Sequence, residues 1–271
     1  MNPVSKLILG GHSFIGQLGN DPMADFDMQT AIVSACLDSG ITTFDTTYQP
    51  ERMALGKIME RLGRRNEAHI IAWNFFIDFG PGENVGGPES YKPHHIYALL
   101  EQLQTNHIDS LVVHGVNDPN EDARQFKLTT QWLNQGLIGR IGIWAPSLGN
   151  IDLLKNIPSL TFMVRPYNVL TDEAPPIFTA AKNAGLETIA CSPFVRGWQL
   201  DKMAQASGGI MHKQRIADAM LRYSLHSPSV DRLIVSMRSS ELVRMNIESA
   251  NQGPLTEDAR LELIRLTRKA R

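Results

Sequence analysis

A chain of 271 residues with 42% apolar and 20% charged residues can bury one large core, and its length suits a single barrel as well as two smaller domains. A formal net charge of -2 offers no electrostatic footprint for nucleic acid, and no apolar run approaches the length of a membrane span, so a small-molecule partner is expected. Only Cys36 and Cys191 occur, too far apart for a motif, and the start MNPVSKLILGG lacks an adequate signal core, so a reducing cytoplasm is the expected location.

In chain order, short apolar runs alternate with amphipathic stretches, with no Ser/Pro-rich linker between them. Leu7–Leu9 reads as a strand, followed by a helix over Asp27–Asp38. Thr42–Phe44 precedes a helix at Glu51–Leu62, and His69–Trp73 precedes one at Pro93–Thr105. Ser110–Val113 leads to Asn120–Asn134, Arg140–Ile143 to Leu148–Leu154, and Thr161–Val164 to Ala174–Ala184. Thr188–Ala190 leads to His212–Leu225, and Arg232–Val235 to helices at Ser239–Asn251 and Thr256–Lys269. Gly40, Gly136 and Gly185 stand where a left-handed residue would end a helix. This is the pattern of an α/β fold, a (β/α)8 TIM barrel with additional outer helices, in one domain over 1–271. An open doubly wound sheet is the alternative, but no GxGxxG follows the first strand.

The stretch TTFDTTYQPERMALG, from Thr42 to Gly56, delivers Asp45 and Tyr48 to a strand-to-helix loop, the place where barrel enzymes carry their chemistry. The Gly- and Pro-rich segment Phe75–Lys92 follows the third strand on the same side and reads as a wall or lid of a pocket, or as a mobile surface insertion. His114 ends the fourth apolar run, where it is either a site residue or an ordinary core histidine. Scattered singles, namely His12, Asp45, Asn74 and His114, would face one mouth, but no metal site is expected from them.

The segments LILGG, GITTFDTTYQPERMALG, HIDSLVVHG, GLIGRIGI, PYN, CSPFVRG and SMRSSELVRMNIESA resemble successive landmarks of the aldo-keto reductases, in that family's order and over nearly the whole chain. The resemblance implies a barrel that transfers hydride between NADP(H), or NAD(H), and a carbonyl or alcohol of a small molecule, with a monomer as the family default. It implies Asp45, Tyr48 and His114 as catalytic residues, with Tyr48 closer to Asp45 than is usual in the family. It places Asn74 where the family has a catalytic Lys. Ser192, Phe194, Arg238 and Asn246 would hold the cofactor's phosphate and adenine end. At the nicotinamide end the family's amide and stacking residues are replaced by Trp144-Ala145, Val164 and Cys191, and Ser236 replaces the usual Gly or Lys. Trp144 would stack on a ligand or fill the space, Arg165 would pair with an anionic substrate or face the helices, and Cys191 would be a reactive thiol or a small apolar filler. Loss of the Lys and the amides together also fits a non-redox acid–base enzyme or a silent ligand-binding homologue.

Overall fold

Successive strand residues face opposite sides of a sheet, and that alternation divides the apolar runs of this chain between two cores. The structure, a computed structural model, describes the chain apart from residues 1, 18–22, 81–82, 155–156, 172–173 and 271, and apart from the side chains of 150, 152, 153 and 196. The strands are β1 (Leu7–Leu9), β2 (Thr43–Thr46), β3 (His69–Trp73), β4 (Ser110–Val113), β5 (Ile141–Trp144), β6 (Leu160–Pro166), β7 (Glu187–Cys191) and β8 (Arg232–Val235). They pair in parallel in chain order, and β1 pairs with β8 through Ile8 opposite Ile234, so the sheet closes and the open alternative is excluded.

One set of strand residues, including Leu9, Phe44, Ile70, Leu111, Met163 and Leu233, faces outward beneath the helices. The other set, including Ile8, Ile71, Trp73, Val112, Phe162, Val164, Ile189 and Ile234, fills the barrel. Both faces are buried, which is why the strands read as continuous apolar runs rather than alternating ones. Gly142 belongs to the inner set: a Cβ there would lie 2.3 Å from the ring of Phe162, so the ring occupies the space a side chain would need. Below it a polar belt closes the floor. Arg140 pairs with Glu187 at 2.6 Å and lies over the Phe162 ring, Arg232 donates to Thr43 Oγ1, and His69 Nε2 meets Ser110 Oγ.

The helices are α1 (Phe26–Asp38), α2 (Gln49–Leu62), α3 (His95–Gln102), α4 (Pro119–Asn134), α5 (Ile151–Leu154), α6 (Ala174–Asn183), α7 (Leu200–Ala206), α8 (Lys213–Leu225), α9 (Ser240–Asn251) and α10 (Glu257–Lys269). Gly40, Gly136 and Gly185 take φ of +88°, +73° and +83°, the left-handed conformation expected at helix ends. Helix α7 has no counterpart in the sequence reading, being short and without a marked cap. The expected helix at Leu148–Leu154 is a 3-10 turn over Leu148–Asn150 running into α5. Strand β2 begins one residue later than expected and continues to Thr46, so Asp45 lies within the strand. Among the described residues no helix is long and apolar enough to cross a membrane.

Candidate functional site

The C-terminal ends of the strands open into a cavity of about 950 Å³, at the upper end of the roughly 300–1,000 Å³ range of cofactor sites. Its inner end is lined by Asp45, Tyr48, Trp73, His114 and Trp144, and its outer end by Ser192, Phe194, Arg215, Arg238 and Asn246. Of the residues expected in the site, Asp45, Tyr48, His114, Cys191, Ser192, Phe194, Arg238 and Asn246 are therefore brought to one cavity.

Asn74 is not among them. Trp73 shares the inward face of β3 with Ile71, and its neighbour Asn74 consequently turns outward, where it is fully buried. Its Nδ2 donates to the carbonyls of Glu89 and His114 at 2.8 Å, and its Oδ1 accepts from His114 N at 2.8 Å. The Asn74 carbonyl also accepts from Glu89 N, so this residue pins the returning end of the loop that follows β3. It is a structural anchor, and the inward position at the end of β3 belongs to Trp73. Asn74→Ala is expected to lower stability by about 1–3 kcal/mol through the unsatisfied backbone groups it leaves, while ligand binding in the cavity changes less than about twofold. Thermal melts and fluorescence titrations check both halves.

Asp45 is buried; the indole Nε1 of Trp73 donates to its Oδ1 at 2.6 Å, and Thr47 Oγ1 lies 3.5 Å from its Oδ2. Among the described residues no lysine lines the cavity. Burial without a cation in contact pushes the Asp45 carboxyl up to about 7, against the opposing effect of the Trp73 hydrogen bond, and the nearby Glu51 adds to the rise. A Trp in place of a cation thus yields a carboxylic acid that changes charge near neutral pH.

Tyr48 is the N-cap of α2, and its ring stands at the mouth of the barrel. Phe75 and Phe79 meet it edge-on at 5.2 and 5.4 Å, and His12 stacks on it at 5.6 Å. The segment after β3 is therefore a wall of the pocket, outside residues 81–82, which are not described. His114 packs against Phe75 and Trp144, and its Nδ1 lies 2.9 Å from the carbonyl of Gly115. A carbonyl only accepts, so Nδ1 carries the hydrogen and Nε2 bears the lone pair. Burial holds this imidazole below its ordinary value, so it is neutral at pH 7 and accepts hydrogen bonds at Nε2.

Cys191 is the last residue of β7, and burial pushes its thiol up to about 12, so it lines the cavity as a small apolar group and not as a nucleophile. Arg165 donates to the carbonyls of Ala145 and Pro146 and braces the end of β5. The loop after β7 is strained: Ser192 and Val195 take φ of +58° and +49°, and Asn168 Nδ2 holds the Ser192 carbonyl at 3.0 Å. Arg238 stands just ahead of α9, whose first turn is capped by Ser239 through Leu242 N at 3.2 Å.

Sequence reading missed Trp73, Glu51 and Arg52. Glu51 is fully buried; its Oε2 accepts from Thr47 N and Tyr48 N at 2.7 and 3.1 Å, and its Oε1 lies 2.8 Å from His12 Nδ1. The Glu three residues after the cap position was readable as a capping box, but its second oxygen's partner was not. Among the described residues no group of three or more His, Cys, Asp or Glu is gathered as metal ligands would be.

The aldo/keto reductase family model matches residues 6–263. Among curated proteins, aldo-keto reductase YhdN of Bacillus subtilis (strain 168) is 23% identical over 196 residues, covering 69% of this chain and 59% of that protein. The match thus spans less than two thirds of that relative's length. Among solved structures, aldo-keto reductase AKR11C1 from Bacillus halodurans, in its holo form, superposes with a TM-score of 0.74 at 17% identity, covering 96% of this chain and 91% of that one. At that identity the superposition speaks for the fold. The family match runs from the first strand into the last helix, through every strand that bears a cavity residue, and the chain belongs to the aldo/keto reductase family.

Proposed function

We propose that this protein reduces a carbonyl group of a small molecule, or oxidises the corresponding alcohol, using a nicotinamide dinucleotide, with NADP(H) preferred over NAD(H). The observation that carries the reading is the continuity of the cavity, which joins the acid and aromatic groups at the ends of β2 to β5 to a cationic, amide-bearing rim at β7, β8 and α9.

The residues present fit such a cofactor best at its phosphate and adenine end. Ser192 and its strained loop, Arg238 and the capped start of α9 suit phosphate groups, and Asn246, 9% exposed, suits an adenine edge. At the nicotinamide end the chain offers the aromatic faces of Trp73 and Trp144 and the small side chain of Cys191, with no side-chain amide among the described residues. When bound, the reduced nicotinamide supplies hydride to the carbonyl carbon. The chain's own part is to orient the substrate, exclude water and move a proton. Tyr48, His114 and Trp144 wall the inner end, His114 Nε2 can accept from a substrate hydroxyl, and Asp45 holds or releases a proton near neutrality.

Trp73 and Trp144 report occupancy directly. Titration of the protein with NADPH is expected to quench their fluorescence, whereas an unchanged signal together with no dinucleotide-dependent turnover would overturn the reading. Carbonyl conversion without any dinucleotide would point instead to non-redox acid–base chemistry. Arg238→Ala is expected to weaken NADPH binding by about tenfold or more, the size of a lost charge-assisted hydrogen bond, and NADH binding by less than about threefold. Equal losses for both would remove the 2'-phosphate from this residue.

A further inference from the structure

Beyond Asp45, Tyr48 and His114, the cavity holds an imidazole paired to a buried carboxylate. His12 follows β1 in a 3-10 turn over Gly11–Phe14, fixed from both sides because Ser13 Oγ donates to Gly10 O at 2.8 Å and accepts from Met237 N at 2.9 Å. The turn sets the His12 ring against that of Tyr48, 27% of its side chain exposed, with Nδ1 against Glu51 Oε1 at 2.8 Å. Glu51 itself is sealed. A Cβ on Gly11 would lie 2.3 Å from Glu51 Oε2 and 2.7 Å from the Asp45 carbonyl, so the missing side chain is what admits the carboxylate.

Capping α2 needs one carboxylate oxygen, and Oε2 does this alone by accepting from Thr47 N and Tyr48 N. The other oxygen has a different use. A carboxylate that holds one ring nitrogen fixes the imidazole's orientation and tautomer and leaves the second nitrogen as the atom that exchanges protons. Among the described groups, Glu51 and Tyr48 at the start of α2 face the His12 ring, with Asp45 from β2 near enough to feel its charge.

We propose that His12 is a proton-transferring residue of this cavity: Glu51 holds Nδ1–H, and Nε2 gives a proton to, or takes one from, a substrate oxygen seated beside Tyr48. In the reducing direction the Nε2–H bond of the imidazolium breaks with its electron pair left on nitrogen, and an O–H bond forms on the substrate. The hydride, with its two electrons, comes from a reduced nicotinamide dinucleotide, and this part rests on the function proposed above. The ring then recovers its proton from water at the mouth.

The first test needs no cofactor. In dinucleotide-free protein labelled with ¹⁵N-histidine, neutral His12 is expected as the Nδ1–H tautomer, and Glu51→Gln is expected to lower its titration midpoint by about one pH unit, as loss of an adjacent carboxylate does. Gln keeps an oxygen for capping; should that variant not fold, the wild-type tautomer decides. The second test is kinetic, with NADPH and 4-nitrobenzaldehyde. His12→Gln should lower kcat by about 100-fold, the usual share of a general acid, leave NADPH binding unchanged, and His12→Gly should be partly rescued by added imidazole. The proposal is overturned by an Nε2–H tautomer, by a midpoint indifferent to Glu51→Gln, or by His12→Gln turnover within threefold of wild type. If the wild type neither binds NADPH nor turns over, the reductase reading fails and the spectroscopic result alone judges the His12–Glu51 pair.

Discussion

Asp45→Asn is expected to lower kcat by about 100-fold or more and, above pH 7, to make the protein more stable. Both effects have one cause. The carboxyl is buried with a neutral indole for a partner, and burial raises it from an ordinary 3.8 to about 7. The folded state therefore keeps a proton that the unfolded state has already released between about pH 4 and pH 7. Stability contributed by this residue falls as pH rises through that window, and the decline is complete above the folded value. The full displacement corresponds to on the order of 4 kcal/mol, as an upper bound. Asn retains the acceptor for Trp73 Nε1 but has no charge to bury. Calorimetry of wild type and variant at pH 5 and pH 8.5 should show a melting-temperature gap that widens with pH, toward roughly 5 °C or more at the higher value. A gap that does not widen would mean that the carboxyl is ionised without cost, and would remove Asp45 as a group that titrates near neutrality. The pairing of lost turnover with gained stability is what a strained reacting group predicts.

Arg52→Met should cost about 3–5 kcal/mol, the range for breaking a buried charged network at one partner. Arg52 is fully buried, and the guanidinium donates to Gln102 Oε1 at 2.6 Å, to the Thr47 carbonyl at 2.8 Å and to the Phe75 carbonyl at 2.6 Å. Burial lowers it to about 10, still well above neutral pH, so it is charged in the folded protein. Those carbonyls lie on the loops after β2 and β3, the loops that carry Tyr48 and the aromatic wall. A methionine fills the volume but leaves the acceptors unpaired. Urea unfolding should show the loss in midpoint at unchanged slope. The variant should also turn over more slowly because Tyr48 and Phe75 are no longer held together. A loss below about 1 kcal/mol would show that water replaces the guanidinium at these carbonyls.

The barrel was legible in the chain. Runs such as His69–Trp73 and Ser110–Val113 are short, apolar on both faces after their first residue and separated by helical spacing, the pattern of a parallel sheet covered on both sides. Asp45, Tyr48 and His114 could be placed at one end because each follows or closes such a run. The same continuity hid the inward face of β3. After His69 the residues of HIIAW are apolar on both sides, so nothing at the C-terminal end of the strand marked whether Trp73 or Asn74 looks into the barrel until the register Asp45 to Ile71 set the parity. The shorter helix α7 was hidden for a related reason, since seven residues without a marked cap carry little periodic signal.

By itself, then, the sequence determined the closed alternation of strands and helices and the end of the barrel at which acids and aromatics collect, because both follow from local periodicity and chain order. Only the tertiary structure decided which side chains share the cavity. Trp73 against Asp45, Glu51 against His12 and Arg52 against Phe75 and Gln102 are contacts between segments far apart in the chain, and their geometry comes from barrel closure and strand register. Charge states belong to that second level as well. An aspartate that titrates near 7 is written in the chain as an ordinary aspartate, and becomes unusual only when the fold buries it beside an indole instead of a cation.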